Sequence, residues 1–167
     1  SILQQFSGSL DLYNRFAYLY DSLHQPYDTW YFFAKKIVAD IYTRYGDNKK
    51  AISYLKDVLL NAESTQKTNR DSNATVSTAI NLSTAWAETG ENDSAIYILQ
   101  RFGQYHTISE RRKALLHATL GLYLIKKADT VSANIAANTA ISIAKQSINN
   151  KGISDALQVS YSLLGDM

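Results

Sequence analysis

The 167-residue chain has no cysteine, a single proline and only seven glycines. Without cysteine there are no disulfides and no thiolate zinc sites, and the lack is compatible with periplasm and cytoplasm alike. Few glycines and one proline leave too few turn signals for an all-β sandwich or barrel, and far too few for a collagenous or disordered chain. Charge of one sign is also lacking, since 17 Lys and Arg stand against 15 Asp and Glu. That balance argues against direct nucleic-acid binding by this segment. No apolar run approaches 18 residues; Gly121 to Ile125 and Ala114-Leu115-Leu116 are broken within a few positions by Lys or His, so no membrane insertion is expected. The chain opens Ser1-Ile2-Leu3 with no basic leader or signal core and stops at Leu164-Gly165-Asp166-Met167 within a helical pattern. The expectation is a fragment of a longer protein, in a compartment the sequence leaves open.

What is present is apolar spacing of three and four residues almost throughout, which predicts amphipathic helices. Leu10, Tyr13, Phe16, Ala17, Tyr20 and Leu23 share one face of a first helix that ends at Gln25-Pro26, because proline disfavours helical geometry in the residue before it. A second helix is expected from Asp28 to Tyr45, closed by Gly46, and a third from Lys49 to Glu63, capped by Asp47 or Asn48. The polar run Ser64 to Asn73 reads as a loop or an exposed helix extension. A fourth helix runs to Thr89 before Gly90, a fifth from Asn92 or Asp93 to Gln104, a sixth from Ser109 to Lys127, a seventh from Thr130 to Ile148 and an eighth from Ser154. Short links force antiparallel neighbours, so the expected architecture is stacked helical hairpins or an up-and-down bundle.

Internal repetition favours the hairpins. The spacing Val38-Ala39…Tyr42…Gly46-Asp47…Ala51…Leu55…Val58 recurs at Leu82-Ser83…Trp86…Gly90-Glu91…Ala95…Leu99…Phe102. It recurs again, without the glycine, at Leu120-Gly121…Leu124…Ala128-Asp129…Ala133…Ala137…Ala140, and a fourth copy starts at Leu164-Gly165. Intervals of 44, 38 and 44 residues separate the copies, the period of a helical solenoid.

This order of large, small, bulky, turn glycine and small residues resembles the tetratricopeptide repeat (TPR) family, in the irregular form found in bacterial sensor and regulator proteins. The resemblance implies an all-α, right-handed α-α superhelix of about eight helices. Residues 1–167 would form one domain, with a leading helix at 10–24, repeats at 29–63, 71–105 and 109–148, and the first helix of a truncated repeat at 154–167. It further implies that Ala39, Ser83, Gly121, Ala51, Ala95 and Ala133 let paired helices approach closely, while Tyr42, Trp86 and Leu124 fill the gaps. The usual proline closing each repeat is missing. In this family ligands lie along the concave surface of first helices. That points to Phe33, Lys36, Asp40, Thr43 and Arg44 in the first repeat, Ser77, Thr84 and Glu88 in the second, and Ala118, Leu122, Ile125 and Lys126 in the third. The mixed charge lacks the Lys/Arg/Asn clamp with which chaperone-binding members grip a carboxylate.

Catalytic signals are absent from the pattern. His24, His106 and His117 show no paired ligand spacing, and no Gly-x-Ser-x-Gly elbow, phosphate-binding glycine loop or dinucleotide fingerprint occurs. Asp71-Ser72-Asn73 begins like a calcium loop but lacks the glycine and glutamate that complete one. Neither a cofactor nor a metal is expected, nor an enzyme. Thirteen of the nineteen aromatic residues lie in the first 54 positions; they read chiefly as core filling, with some available as interface anchors. Lys35-Lys36 with Arg44, Lys49 and Lys50, and Arg111-Arg112-Lys113 with Lys126-Lys127, read as solvated helix faces. The expected function is a non-enzymatic scaffold or sensor module binding a protein or peptide segment in a concave groove. The alternative is an architectural or dimerisation segment of a larger bacterial signalling or transcription-regulatory protein.

Overall fold

The computed structural model describes residues 2–23, 29–65, 69–104, 108–146 and 162. Among these the regular structure is helical: α1 (Ile2–Ser22), α2 (Thr29–Arg44), α3 (Asn48–Thr65), α4 (Asn69–Glu88), α5 (Asn92–Gly103), α6 (Glu110–Lys126) and α7 (Thr130–Gln146). The chain forms two compact units, residues 1–67 and 68–167. The eighth expected helix, 154–167, lies outside the described residues apart from Ser162, which is helical.

One element differs from the sequence expectation, and one open choice is resolved. α1 begins at Ile2 rather than Leu10; Gly8 sits within it on an exposed position and does not break it. Of the two readings of the polar run 64–73, a loop or an exposed helix extension, the described residues show helix, since α3 continues to Thr65 and α4 starts at Asn69. Asn73 explains part of this, because its side-chain oxygen accepts a 2.9 Å hydrogen bond from the backbone N–H of Ser109. Ser109 is the residue that caps α6, so a polar residue in a solvated run ties α4 to the start of α6.

Each hairpin turns through the same backbone device. Gly46, Gly90 and Ala128 adopt φ of +77°, +86° and +61°, the left-handed conformation that ends many helices. The next residue's N–H then reaches back to the carbonyl five positions earlier: Asp47 to Tyr42 at 3.0 Å, Glu91 to Trp86 at 2.8 Å and Asp129 to Leu124 at 3.0 Å. That same residue's carbonyl accepts the first bond of the following helix, from Ala51, Ala95 and Ala133 respectively. In two turns its side chain caps as well, with Asp47 accepting from the Lys50 N–H at 3.2 Å and Asp129 from the Ser132 N–H at 3.1 Å. Glu91 makes no such cap bond, as its longer side chain fits that geometry poorly.

Within residues 1–67, α2 and α3 form a hairpin and α1 packs on α2. Val38, Ala39, Ala51 and Leu55 are fully buried there. Tyr42 and Tyr54 stack with ring centres 5.7 Å apart, the Tyr54 hydroxyl donates to Asn14 of α1 at 3.3 Å, and Lys35 of α2 pairs with Asp57 of α3. Trp30, Tyr31 and Phe32 fall outside the described side chains.

Within residues 68–167, α4 pairs with α5 and α6 with α7, while α6 also packs on both α4 and α5. Ser83, Ala95, Gly121 and Ala133, the small residues expected at close helix contacts, are all buried. Ala114 and Ala118 of α6 meet Ala140 and Ala144 of α7 in a cluster of side chains no larger than methyl groups, which lets the axes approach. Ala118, expected on the groove surface, is therefore core: its side chain is fully buried in that cluster. Thr78 and Ser83, buried on α4, return their hydroxyl protons to the carbonyls of Ala74 and Ile80 at 3.0 and 2.7 Å. This satisfies polar atoms that would otherwise be costly to bury.

The left-handed turn gives a direct test. Ala128 carries a Cβ penalty that Gly46 and Gly90 avoid, so Ala128→Gly raises stability by about 1 kcal/mol and Gly90→Ala lowers it by about as much. Urea unfolding followed by helical circular dichroism reads both changes.

Candidate functional site

The first helices of the repeats, α2, α4 and α6, carry the residues expected to face a ligand. On α2, Phe33 is 56% exposed and Arg44, the last residue of the helix, is exposed. Lys36 and Asp40 pair with one another at 3.1 Å, one turn apart, where opposite charges support the helix. The Thr43 hydroxyl donates to the Ala39 carbonyl at 3.0 Å.

The second and third repeats bring their first helices together within one unit. The Tyr123 hydroxyl of α6 donates to the Thr84 hydroxyl oxygen of α4 at 3.3 Å, and Thr84 passes its own proton to the Ile80 carbonyl at 3.1 Å. Tyr123 itself is 3% exposed. Burial pushes its phenol above the ordinary value, an effect that the hydrogen bonds to Thr84 and Ser83 oppose and the nearby Glu88 carboxylate reinforces. Lys126 holds its ammonium 5.6 Å from the Tyr123 ring centre, within cation–π range. Around this link Glu88 and Lys126 are exposed, Leu122 is 37% exposed, and Ser77 and Ile125 are half-buried. The result is a mixed surface on α4 and α6 with an acid, a base and one exposed apolar side chain.

Tyr123 was not among the expected site residues. In the repeat register it matches Ile41 and Ala85, both buried, so its position reads as core, and only the neighbouring helix reveals what the hydroxyl does there. Thr84 could be placed on a surface from spacing; its bond to Tyr123 could not.

Much of the two basic clusters is neutralised locally. Lys35 pairs with Asp57, Lys50 with Asp47 at 3.0 Å, Lys113 with Glu110 at 3.0 Å and Lys127 with Asp93. The Asp47 carboxyl is held below its ordinary range, first by the Lys50 side chain and then by the Lys50 N–H; Asp129 is held down likewise by the Ser132 side chain and N–H. These charges fasten helix starts and hairpins rather than forming a clamp. Among the described residues no group of three or more His, Asp or Glu could hold a metal ion, and no helix is long and apolar enough to cross a membrane. His24 and His106 lie outside the described residues.

No protein-family model and no curated protein sequence matches the chain. Solved structures do. The TPR-like repeats of a Podosopora anserina protein described as a kinesin light chain superpose with a TM-score of 0.74 at 12% identity, over 98% of this chain and 81% of that one; a variant of the same protein gives 0.76. BtubC (BKLC) from P. vanneervenii matches with a TM-score of 0.63 at 18% identity, over 98% of this chain and 70% of that chain. In the Cut9–Hcn1 hetero-tetramer of the APC/C, the TM-score is 0.62 at 21% identity, over 95% of this chain and 28% of that one. At these identities the likeness concerns the fold, which is an all-α, TPR-like helical repeat.

His117, midway along α6 and half-buried, supplies a pH test. Burial lowers its pKa from the ordinary 6.5 by disfavouring the imidazolium. Between the lowered value and 6.5 the unfolded chain holds more protons than the folded one. The contribution is therefore complete above about pH 6.5 and is lost as pH falls from there through the lowered folded-state value. Urea unfolding at pH 7.5 and 5.5 shows a smaller acid-side loss for His117→Gln than for the natural chain.

Proposed function

We propose that this chain is a non-enzymatic scaffold that holds a protein or peptide segment on the exposed faces of its first helices, each compact unit taken by itself. The observation that carries this reading is the α4–α6 surface, where Tyr123 and Thr84 fix two first helices side by side beneath exposed Glu88, Leu122 and Lys126. A rigid platform with one apolar and two oppositely charged side chains suits a ligand that offers a small apolar group flanked by polar ones. In residues 1–67, taken by themselves, the exposed candidates on α2 are Phe33 and Arg44. Lys36, Asp40, Thr43 and Ser77 complete the proposed contact faces, with Lys36 and Asp40 acting as a neutral pair rather than as separate charges. TPR-like folds serve as protein-interaction scaffolds, which supports the reading at the level of class. The narrower assignment, a sensor region of a bacterial signalling or regulatory protein, is supported by the irregular 44- and 38-residue spacing of the repeats.

The test starts from a random-peptide display library selected on the natural chain. Peptides recovered are then titrated by fluorescence polarisation against Glu88→Lys, Leu122→Ala and Lys126→Glu. At least a tenfold weakening is expected for one or more of these, with binding to Lys113→Glu unchanged. Equal affinity for all four variants overturns the placement.

A further inference from the structure

Opposite charges find one another in much of this fold: Lys36 pairs with Asp40, Lys113 with Glu110 and Lys127 with Asp93. At the hairpin-turn end of residues 68–167 other carboxylates are engaged too. Glu91 accepts from the Ser94 hydroxyl at 3.5 Å and Asp129 from the Ser132 N–H at 3.1 Å. Glu88 and Lys126 differ. Both are exposed, and among the described residues neither enters an ion pair, with each other or with any other side chain.

The two share a register position. Glu88 lies two residues before Gly90 and Lys126 two before Ala128, the left-handed turn residues of their hairpins. α4 and α6 run in the same direction, because α5 reverses the chain between them, and the 3.3 Å bond from Tyr123 to Thr84 sets their last turns level. Helices packed in this way have axes about 8–10 Å apart, so acid and base face one another across a gap. Tyr123 is the floor between them. The Lys126 ammonium rests 5.6 Å from its ring centre, while the Glu88 carboxylate acts on its hydroxyl end, adding to the burial that raises the phenol above its ordinary value. Lys36 and Asp40, one turn apart on a single helix, cancel; Glu88 and Lys126, on two helices with a buried ring between, do not.

We propose that this face selects a segment carrying a base and an acid on one side of an extended backbone, the base set against Glu88 and the acid against Lys126. The proposal rests on the scaffold reading above and names the chemistry of its ligand. In an extended chain, side chains on one side recur every second residue, about 7 Å apart, a distance that the long side chains of Glu88 and Lys126 meet from their two helices. The recognised element is therefore a charged pair with one residue between, and in one order only, because a chain of L-residues has inequivalent ends. Leu122, one turn before Lys126 and 37% exposed, takes an apolar side chain beside the acid. A segment with two like charges meets one attraction and one repulsion, which disfavours it. Exposed ion pairs contribute modestly to affinity, so their effect lies in which sequence is held and in which direction.

Peptides recovered by display on the natural chain carry the readout. Opposite charges two positions apart exceed their frequency in the unselected library about threefold, in a single order, and the excess is lost from a pool selected on the Glu88→Gln/Lys126→Gln double variant. For one recovered peptide, fluorescence polarisation at low salt completes the test. Changing its base to Gln weakens binding to the natural chain about threefold and leaves binding to Glu88→Gln unchanged. Changing that base to Glu weakens binding about tenfold, and Glu88→Lys restores it; the peptide's acid and Lys126→Glu behave likewise. Peptides that bind without a charged pair, or a reversed peptide that Glu88→Lys fails to rescue, overturn the proposal and leave the scaffold reading standing. Recovery of no peptide at all overturns both.

Discussion

The hairpin turn concentrates two jobs in one peptide segment. A residue in the left-handed conformation stops the first helix, and the residue after it both closes that helix and opens the next. Asp47, Glu91 and Asp129 thus each belong to two helices at once, with no spare linker between them. The short turn makes the two helices antiparallel neighbours, and the alanines four residues further on are then brought against the preceding helix. Tyr42, Trp86 and Leu124 owe their role to the same constraint, since each supplies the carbonyl that the turn reaches back to and fills the space beside it. That Ala128 tolerates φ of +61° shows how strongly the flanking helices hold the turn, because an alanine there adopts a conformation that its Cβ opposes.

Polar side chains do a second kind of work, tying one hairpin to the next. Asn73 accepts from the Ser109 backbone and Tyr123 donates to Thr84, so α4 meets α6 through specific hydrogen bonds as well as apolar packing. Such bonds fix register, because a shift by one turn would leave a buried hydroxyl unsatisfied. The exposed residues above them, Glu88, Leu122 and Lys126, therefore sit on a fixed floor, which in the proposed binding role lowers the ordering cost. The charged clusters serve the frame more than the surface: Lys35, Lys50, Lys113 and Lys127 each have a carboxylate within their own hairpin or its neighbour.

Local signals carried the helix pattern and the repeat register, because both rest on short-range physics. Periodicity of apolar residues marks a helix regardless of its neighbours, and Gly46, Gly90, Asp47 and Asp129 announce their turns through backbone freedom and capping chemistry. The small residues Ala39, Ser83, Gly121, Ala51, Ala95 and Ala133 recur in register, and the resemblance to the tetratricopeptide repeat implied their place at close helix contacts. The same reasoning failed at Ala118, whose spacing suits a surface as well as a core; at 64–73 polar composition left a loop and an exposed helix extension both open, and did not show that Asn73 has a partner 36 residues away. Tyr123 was invisible for the same reason.

The sequence by itself therefore determined an all-α chain of antiparallel hairpins in a TPR-like register, since helix periodicity, caps and turns are encoded within a few residues of one another. Only the tertiary structure decided which polar groups are spent inside the fold and which remain to meet a partner. Lys36 and Asp40 cancel each other, Thr43 and Thr84 give their hydroxyl protons to the backbone, Ala118 disappears into the α6–α7 contact, and Glu88 and Lys126 stay exposed. Each outcome depends on what lies across the space beside the residue, and that neighbour can be distant in the chain.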